Sequence, residues 1–328
     1  MDVVAMRKLK KAVWIATFNE LRTRAEIDRL VERYADAGFD LLLPCVKGID
    51  GVVAYPGADA PVRANLPSWD PLEAFVSSAH AVGLKVHPWF CVIPVGPKLV
   101  RRHPDWIARN SKGRRAHCFS CYYTCAANRD ATNYHHALMA DVVRRYDVDG
   151  IHLDYIRTGE DTCYCPLCLA AYKRVTGLKA PLPGKAYDLT PAWRQWRINN
   201  ITRLVARVSR TCKRAGKEVS AAVFVDYPMP RFTQSQDYVQ WSEKGLVDVV
   251  MPMAYDNDHI MTVAFARNHM ANWRGKAKLW EGLCPAVMPR PADLAEQMRR
   301  VKDAGIKGVA LFAHKHITDG HLKAIKGI

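Results

Sequence analysis

Four segments of the chain repeat one arrangement: a helix-like stretch ends, a glycine follows, and a short apolar run begins. They read D-A-G-F-D-L-L-L-P (Asp36 to Pro44), A-V-G-L-K-V-H-P-W (Ala81 to Trp89), K-G-L-V-D-V-V-M-P (Lys244 to Pro252) and D-A-G-I-K-G-V-A-L (Asp303 to Leu311). A glycine past a helix end takes the left-handed backbone that closes the helix. Nearly continuous apolar runs are the mark of strands buried on both faces, as in a parallel sheet covered by crossover helices. Runs of this kind predict strands at Ala12–Thr17, Asp40–Val46, Lys85–Val92, Gly150–Tyr155, Glu218–Val225, Asp248–Ala254, Lys278–Gly282 and Gly308–Ala313. Helices are expected at Thr23–Ala37, Pro71–Val82, Asn133–Tyr146, Ala192–Ala215, Asp237–Lys244 and Ala292–Ala304. Eight strands is the count of an α/β (β/α)8 TIM barrel. The competing open doubly wound sheet carries a G-x-G-x-x-G after its first strand, and none is present.

The 328 residues are read as a single barrel domain, 1–328, with two enlarged loops at about 94–129 and 158–190. These follow strands three and four at their C-terminal ends, where a barrel builds its site. The run A-V-W-I-A after the basic N-terminus is too short for a signal core and reads as the first strand. No window approaches the apolar length of a membrane span. The expectation is a cytoplasmic protein with no membrane partner, or a secreted or periplasmic one if a signal was removed.

The strand ends are rich in chemistry. On strand four, D-G-I-H-L-D-Y-I-R from Asp149 to Arg157, period two puts Gly150, His152 and Asp154 on one side. Other strand ends supply Asn19 and Glu20, Lys47, His87 and Trp89, Asp226, Tyr255 and Asp256, Glu281, and His314. Aromatic faces stack on sugar rings and paired carboxyl groups cleave glycosidic bonds, so this mixture suits a carbohydrate site. Trp14 and Trp280 are read as core.

The run H-P-D-W from His103, N-R-D-A-T-N-Y from Asn128, and V-V-R-R-Y-D-V-D-G-I-H-L-D-Y from Val142 to Tyr155 resembles glycosyl-hydrolase-like family 10. G-L-K-V-H-P-W-F from Gly83 and D-Y-V-Q-W-S-E-K-G-L-V-D-V-V-M-P-M-A-Y from Asp237 to Tyr255 extend the resemblance. It implies a TIM barrel that hydrolyses O-glycosidic bonds of an oligo- or polysaccharide. It carries over His87, Trp89, His152, Asp154 and Tyr255 as pocket residues, and Lys47, Arg157 and His314 are added as substrate-binding candidates. Two departures stand out: Tyr155 follows Asp154 where the family often has a second Asp, and strand six reads P-M-A-Y-D where the family often has P-Q-x-Y-W. Strand four also resembles the chitinase-type D-G-x-D-x-D-x-E, but Ile156 stands where that motif has its glutamate.

Asp154 is assigned as nucleophile or base and Asp256 as the acid, with Asp226 and Glu281 as alternatives for the acid. No cofactor is expected for catalysis. Six of the ten cysteines fall in the two insertions, as Cys118, Cys121, Cys125 and as Cys163, Cys165, Cys168. They suit a structural zinc, in part or with His117, or else up to three disulfides or free thiols. Forty-eight Lys and Arg against 32 Asp and Glu give a net charge of +16. Arg101, Arg102, Arg109, Lys112, Arg114 and Arg115 border the expected mouth and favour an anionic glycan. Nucleic acid is a weaker alternative, since no RNA- or DNA-binding signature is present. A catalytically inactive glycan-binding barrel is the other. The sequence leaves the oligomeric state open.

Overall fold

A computed structural model describes residues 8–159, 161–181 and 190–328. Residues 1–7, and residues 160 and 182–189 of the second insertion, lie outside this description. Among the described residues, eight parallel strands close into a barrel: Lys10–Ile15, Leu41–Lys47, a third in two pieces (Lys85–Val86 and Trp89–Cys91), Gly150–Asp154, Glu218–Val223, Val249–Pro252, Lys278–Leu283 and Gly308–Leu311. Closure comes from strand one, which pairs with strand two (Ala12 opposite Leu41) and with strand eight (Lys10 opposite Gly308). The expected fold is therefore the observed one.

Each strand divides its side chains between two cores, as its period requires. Val13, Ile15, Leu42, Ile151, Leu153 and Val219 face outward and are buried beneath helices such as Arg24–Asp36, Arg129–Arg145 and Pro191–Arg214. Trp14, Leu43, Trp89, Met251 and Trp280 face inward and fill the barrel. Two glycines make that interior fit. A Cβ at Gly308 would lie 2.6 Å from the Trp280 ring, and one at Gly150 would lie 2.6 Å from His87 Nε2 and 2.5 Å from the Glu218 carbonyl.

Local signals account for most helix starts. Thr23 and Glu26 form a reciprocal capping box, and Asp70 accepts from the N–H groups of Leu72 and Glu73. The fourth-strand approach helix starts at Arg129, four residues before the expected Asn133, because Asn128 Oδ1 accepts from the N–H groups of Asp130 and Ala131. Strand three is broken at His87–Pro88, where a proline has no N–H to donate.

Several features were not expected, among them the short helices Pro166–Thr176 and Asp319–Ile325. A helix at His259–Asn272 follows strand six, capped by Asp258. A long connection, residues 48–70, follows strand two and buries Val53, Ala54 and Tyr55. Within the first insertion, Pro94–Val95, Cys121–Tyr123 and His117–Cys118 form a small antiparallel sheet. No helix among the described residues is long and apolar enough to cross a membrane.

Candidate active site at the barrel mouth

Asp154 is the last residue of strand four and is only 6% exposed. Its Oδ2 accepts from the Trp89 indole N–H at 3.0 Å, and its Oδ1 from the Tyr155 N–H at 2.6 Å. Burial pushes its carboxyl above the ordinary range; the Arg157 guanidinium and the two N–H donors oppose that shift without cancelling it. A carboxyl raised in this way retains its proton to higher pH, which is the property of a general acid.

An aromatic cluster that includes Trp89 lies at this carboxyl. Tyr255 and Phe312 stack with centroids 5.3 Å apart, and Phe312 meets the edges of Trp14 and Trp89 at 6.0 and 6.2 Å. Phe312 was not singled out by the sequence reading, which placed it inside the expected strand Gly308–Ala313; the observed strand ends one residue earlier, at Leu311.

Beneath the mouth, the two interior histidines form a directed chain. An indole N–H only donates, so Trp14 Nε1 at 2.9 Å makes His152 Nε2 an acceptor and places the proton on Nδ1. His152 Nδ1 then donates to Ser220 Oγ at 2.9 Å, and Ser220 Oγ, also 2.9 Å from His87 Nδ1, passes a proton on. His87 Nε2 faces Glu218 Oε2 at 3.4 Å, at the start of strand five. Both histidines are fully buried, and burial holds His152 well below its ordinary pKa. The structure thus places His87 and His152 in the barrel interior below the mouth. Period two identifies the side of a sheet and not the height along the axis.

The remaining candidates divide. Lys47 Nζ donates to the carbonyls of Cys91, Val92 and Pro94 at 2.5, 3.3 and 2.9 Å, and burial lowers it to about 8. It ties strand two to the first insertion, and its polar end is turned to backbone. His314 bonds Thr17 Oγ1 at the strand-one rim, lowered to about 4 by burial. Asp256 lies on the rim, its Oδ1 accepting from the Asp258 N–H at 2.8 Å and its carbonyl from Gln297 at 3.0 Å. Asp226 is exposed at the end of strand five with a positive φ of 66°. Glu281 is corrected by parity: between inward Trp280 and Gly282 it points outward, is fully buried, and accepts from His269 Nδ1 at 3.1 Å under the helix His259–Asn272. It does not reach the mouth.

With this geometry, the comparison with known proteins is decisive. A sequence model of the family described as Glycosyl hydrolase-like 10 matches residues 9–280. The chain belongs to that family. Glycosyl hydrolase DigH of Escherichia coli O6:H1 is 27% identical over 224 residues, covering 58% of this chain and 47% of DigH. Glycosyl hydrolase YngK of Bacillus subtilis is 23% identical over 291 residues, covering 75% and 54%. This chain spans about half the length of these curated relatives. Among solved structures, the PgaB (BpsB) glycoside hydrolase domain from Bordetella bronchiseptica is 15% identical with a TM-score of 0.77, covering 98% of this chain and 99% of that one. Alpha-L-fucosidase isoenzyme 2 from Paenibacillus thiaminolyticus is 16% identical with a TM-score of 0.70, covering 98% and 48%. At such identities the likeness shows the barrel alone.

This glycosyl hydrolase-like 10 barrel also carries a basic cavity of about 610 Å3 beside the mouth, lined by Arg114, Arg115, His117, Tyr123, Arg157 and Phe224, among others. Arg157 is 9% exposed; its guanidinium lies over the Tyr155 ring at 4.1 Å and the Phe224 ring at 4.6 Å. Its NH1 makes no hydrogen bond among the described residues. Arg101 and Arg102 line a separate cavity with Lys98. Arg109 is turned to the Gly113 carbonyl, and Lys112 is exposed on the same turn.

The two insertions are stitched together. Asn110 bridges Thr162, Tyr164 N–H donates to the Arg109 carbonyl, and Ser111 donates twice to Asp161 Oδ2. Of the six clustered cysteines, Cys125, Cys163, Cys165 and Cys168 meet in one buried group. Cys118 and Cys121 pair across the small sheet, Cys118 against Tyr123 and Cys121 against Ser120. His117 lines the basic cavity.

Proposed function

We propose that this protein hydrolyses O-glycosidic bonds of an anionic oligo- or polysaccharide, with Asp154 as general acid. The observation that carries the reading is the buried carboxyl of Asp154, raised above its ordinary range by burial and bonded by Trp89, at the C-terminal mouth of a glycosyl hydrolase-like 10 barrel. The sequence assigned Asp154 the opposite role, nucleophile or base; its raised pKa favours the acid. Tyr255 and Phe312 offer faces to a sugar ring, and Asp154 protonates the departing oxygen. Asp256, held by the Asp258 N–H and Gln297, is the carboxylate assigned to attack or to activate water, and Asp226 is its competitor.

The anionic character rests on Arg157. A buried guanidinium with an unmatched N–H, facing a cavity shared with Arg114 and Arg115, suits a uronate carboxylate or a sulfate ester. Turnover of acidic and neutral polysaccharides by the native protein and Asp154→Asn tests the proposal. The expected result is hydrolysis of acidic chains, reduced roughly 10²- to 10⁴-fold in the variant. Full activity in Asp154→Asn overturns the assignment. Both Asp154 oxygens already accept hydrogen bonds, which also favours a glycan-binding barrel without chemistry; saturable binding with no turnover selects that reading.

A further inference from the structure

We propose that Cys125, Cys163, Cys165 and Cys168 bind one structural zinc ion as a tetrathiolate that clamps the two insertions together. The sulfur atoms of Cys125, Cys163 and Cys168 all lie within 4.8 Å of one another, and all three residues are buried. Cys165, 3% exposed, completes the group: its Sγ accepts from the Cys168 N–H at 3.4 Å, and it lies within hydrogen-bonding reach of Cys125 and Cys163. Zinc–sulfur bonds of about 2.3 Å in a tetrahedron put the sulfurs about 3.8 Å apart, so the sulfurs of Cys125, Cys163 and Cys168 need contract by no more than about 1 Å, with Cys165 turning in as the fourth.

The local fold supplies what such a site needs. Cys165-Pro166-Leu167-Cys168 opens the helix Pro166–Thr176, with the Cys165 sulfur capping it by accepting from the Cys168 N–H. A backbone N–H on a ligand sulfur is the outer support that orients thiolates around a metal. A tetrathiolate zinc carries two negative charges, and Arg197, 3% exposed, sets its positive charge near Cys163 and Cys168. Its Nε makes no hydrogen bond among the described residues. Trp193, Trp196 and Tyr172 close the group from water.

The clamp explains why six cysteines give only four ligands. Cys118 and Cys121 belong to the small sheet, whereas Cys125 lies past that sheet's Cys121–Tyr123 strand and meets the second insertion's cysteines. This inference does not depend on glycoside chemistry.

Zinc content of the chain, purified under reducing conditions, is the test. One zinc per chain is expected, released stoichiometrically once an organomercurial has titrated all ten thiols of the chain. Cobalt exchanged for it should show the visible absorption of tetrahedral cobalt thiolate. Cys165→Ser should lose the metal, while Cys118→Ser and Cys121→Ser should retain it. Should Cys165→Ser fail to fold, the organomercurial titration of the unaltered chain carries the test. Substoichiometric zinc, two disulfides among the four, iron in zinc's place, or zinc loss in Cys118→Ser each overturns the proposal.

Discussion

The indole nitrogen of Trp89 lies 3.0 Å from Oδ2 of Asp154, across the register that pairs strands three and four. The donor favours the charged carboxylate, while burial favours the protonated acid, and burial prevails. Trp89→Phe keeps the ring and removes the N–H. The carboxyl should then rise further. Activity that needs the protonated acid is lost as pH rises through its pKa, so the alkaline limb of the rate profile should move to higher pH. Loss of a hydrogen bond to an ionisable group, about 1.5–3 kcal/mol, implies a fall in kcat/KM of roughly 10- to 100-fold. An unmoved limb would refute the coupling.

Ser220→Ala removes the hydroxyl that both interior histidines share. Two buried ring nitrogens lose their partner, at a cost of about 1–3 kcal/mol each. Chemical denaturation should show the loss, with KM little changed, because the chain lies below the mouth. A variant as stable as the parent contradicts the network.

Acid should destabilise the barrel in two stages. His152 and His135 are held well below the ordinary imidazole value, mainly by burial. Their contribution is complete above the unfolded value of about 6.5 and declines as pH falls below it. Glu218 is depressed to about 2, chiefly by His87, with Lys278 and Lys85 adding to it. Its contribution is present above the unfolded value of about 4.3 and is lost as pH falls toward 2. With part of the side chain in solvent this is about 1–2 kcal/mol. Melting temperature measured from pH 8 to pH 3 should fall below pH 6.5 and again below about 4.3; a flat profile rejects the account.

Glu281→Gln separates a structural carboxylate from a catalytic one. The site is fully buried against His269, so stability should drop by about 1–3 kcal/mol while kcat at saturating substrate stays near the parent's. A loss of kcat beyond tenfold would return Glu281 to the mechanism.

Arg114→Ala with Arg115→Ala should raise KM for acidic chains several-fold and weaken the dependence of kcat/KM on salt, since exposed cations act through a screened field. Equal effects on neutral substrates would argue against charge recognition.

The barrel was legible because glycine-terminated helices and apolar runs each have a local cause. Gly38, Gly83, Gly245 and Gly305 all take positive φ where the repeat required it. His259–Asn272 was not, because it buries only Thr262, Ala266 and His269 and leaves Ile260 and Met261 exposed, so no apolar stripe betrays it. The position of Asp154 at the end of strand four, facing the barrel mouth, was legible from period two. The outward turn of Glu281 followed from period two and was missed by counting only its position near a strand end. The convergence of Cys125 with three cysteines some forty residues later, without Cys118 and Cys121, depends on how two loops fold over each other, which no spacing encodes.

The hairpin arm at residues 108–116 is fixed at its root, where Ala108 bonds Tyr123 and Ala116, and along its flank by Asn110 and Ser111. Its tip carries Lys112, Gly113, Arg114 and Arg115 in solvent. Substitutions at Lys112, Arg114 and Arg115 should therefore change the charge beside the mouth without disturbing a single strand, whereas Gly113, at a φ of 74°, holds the turn and needs its glycine.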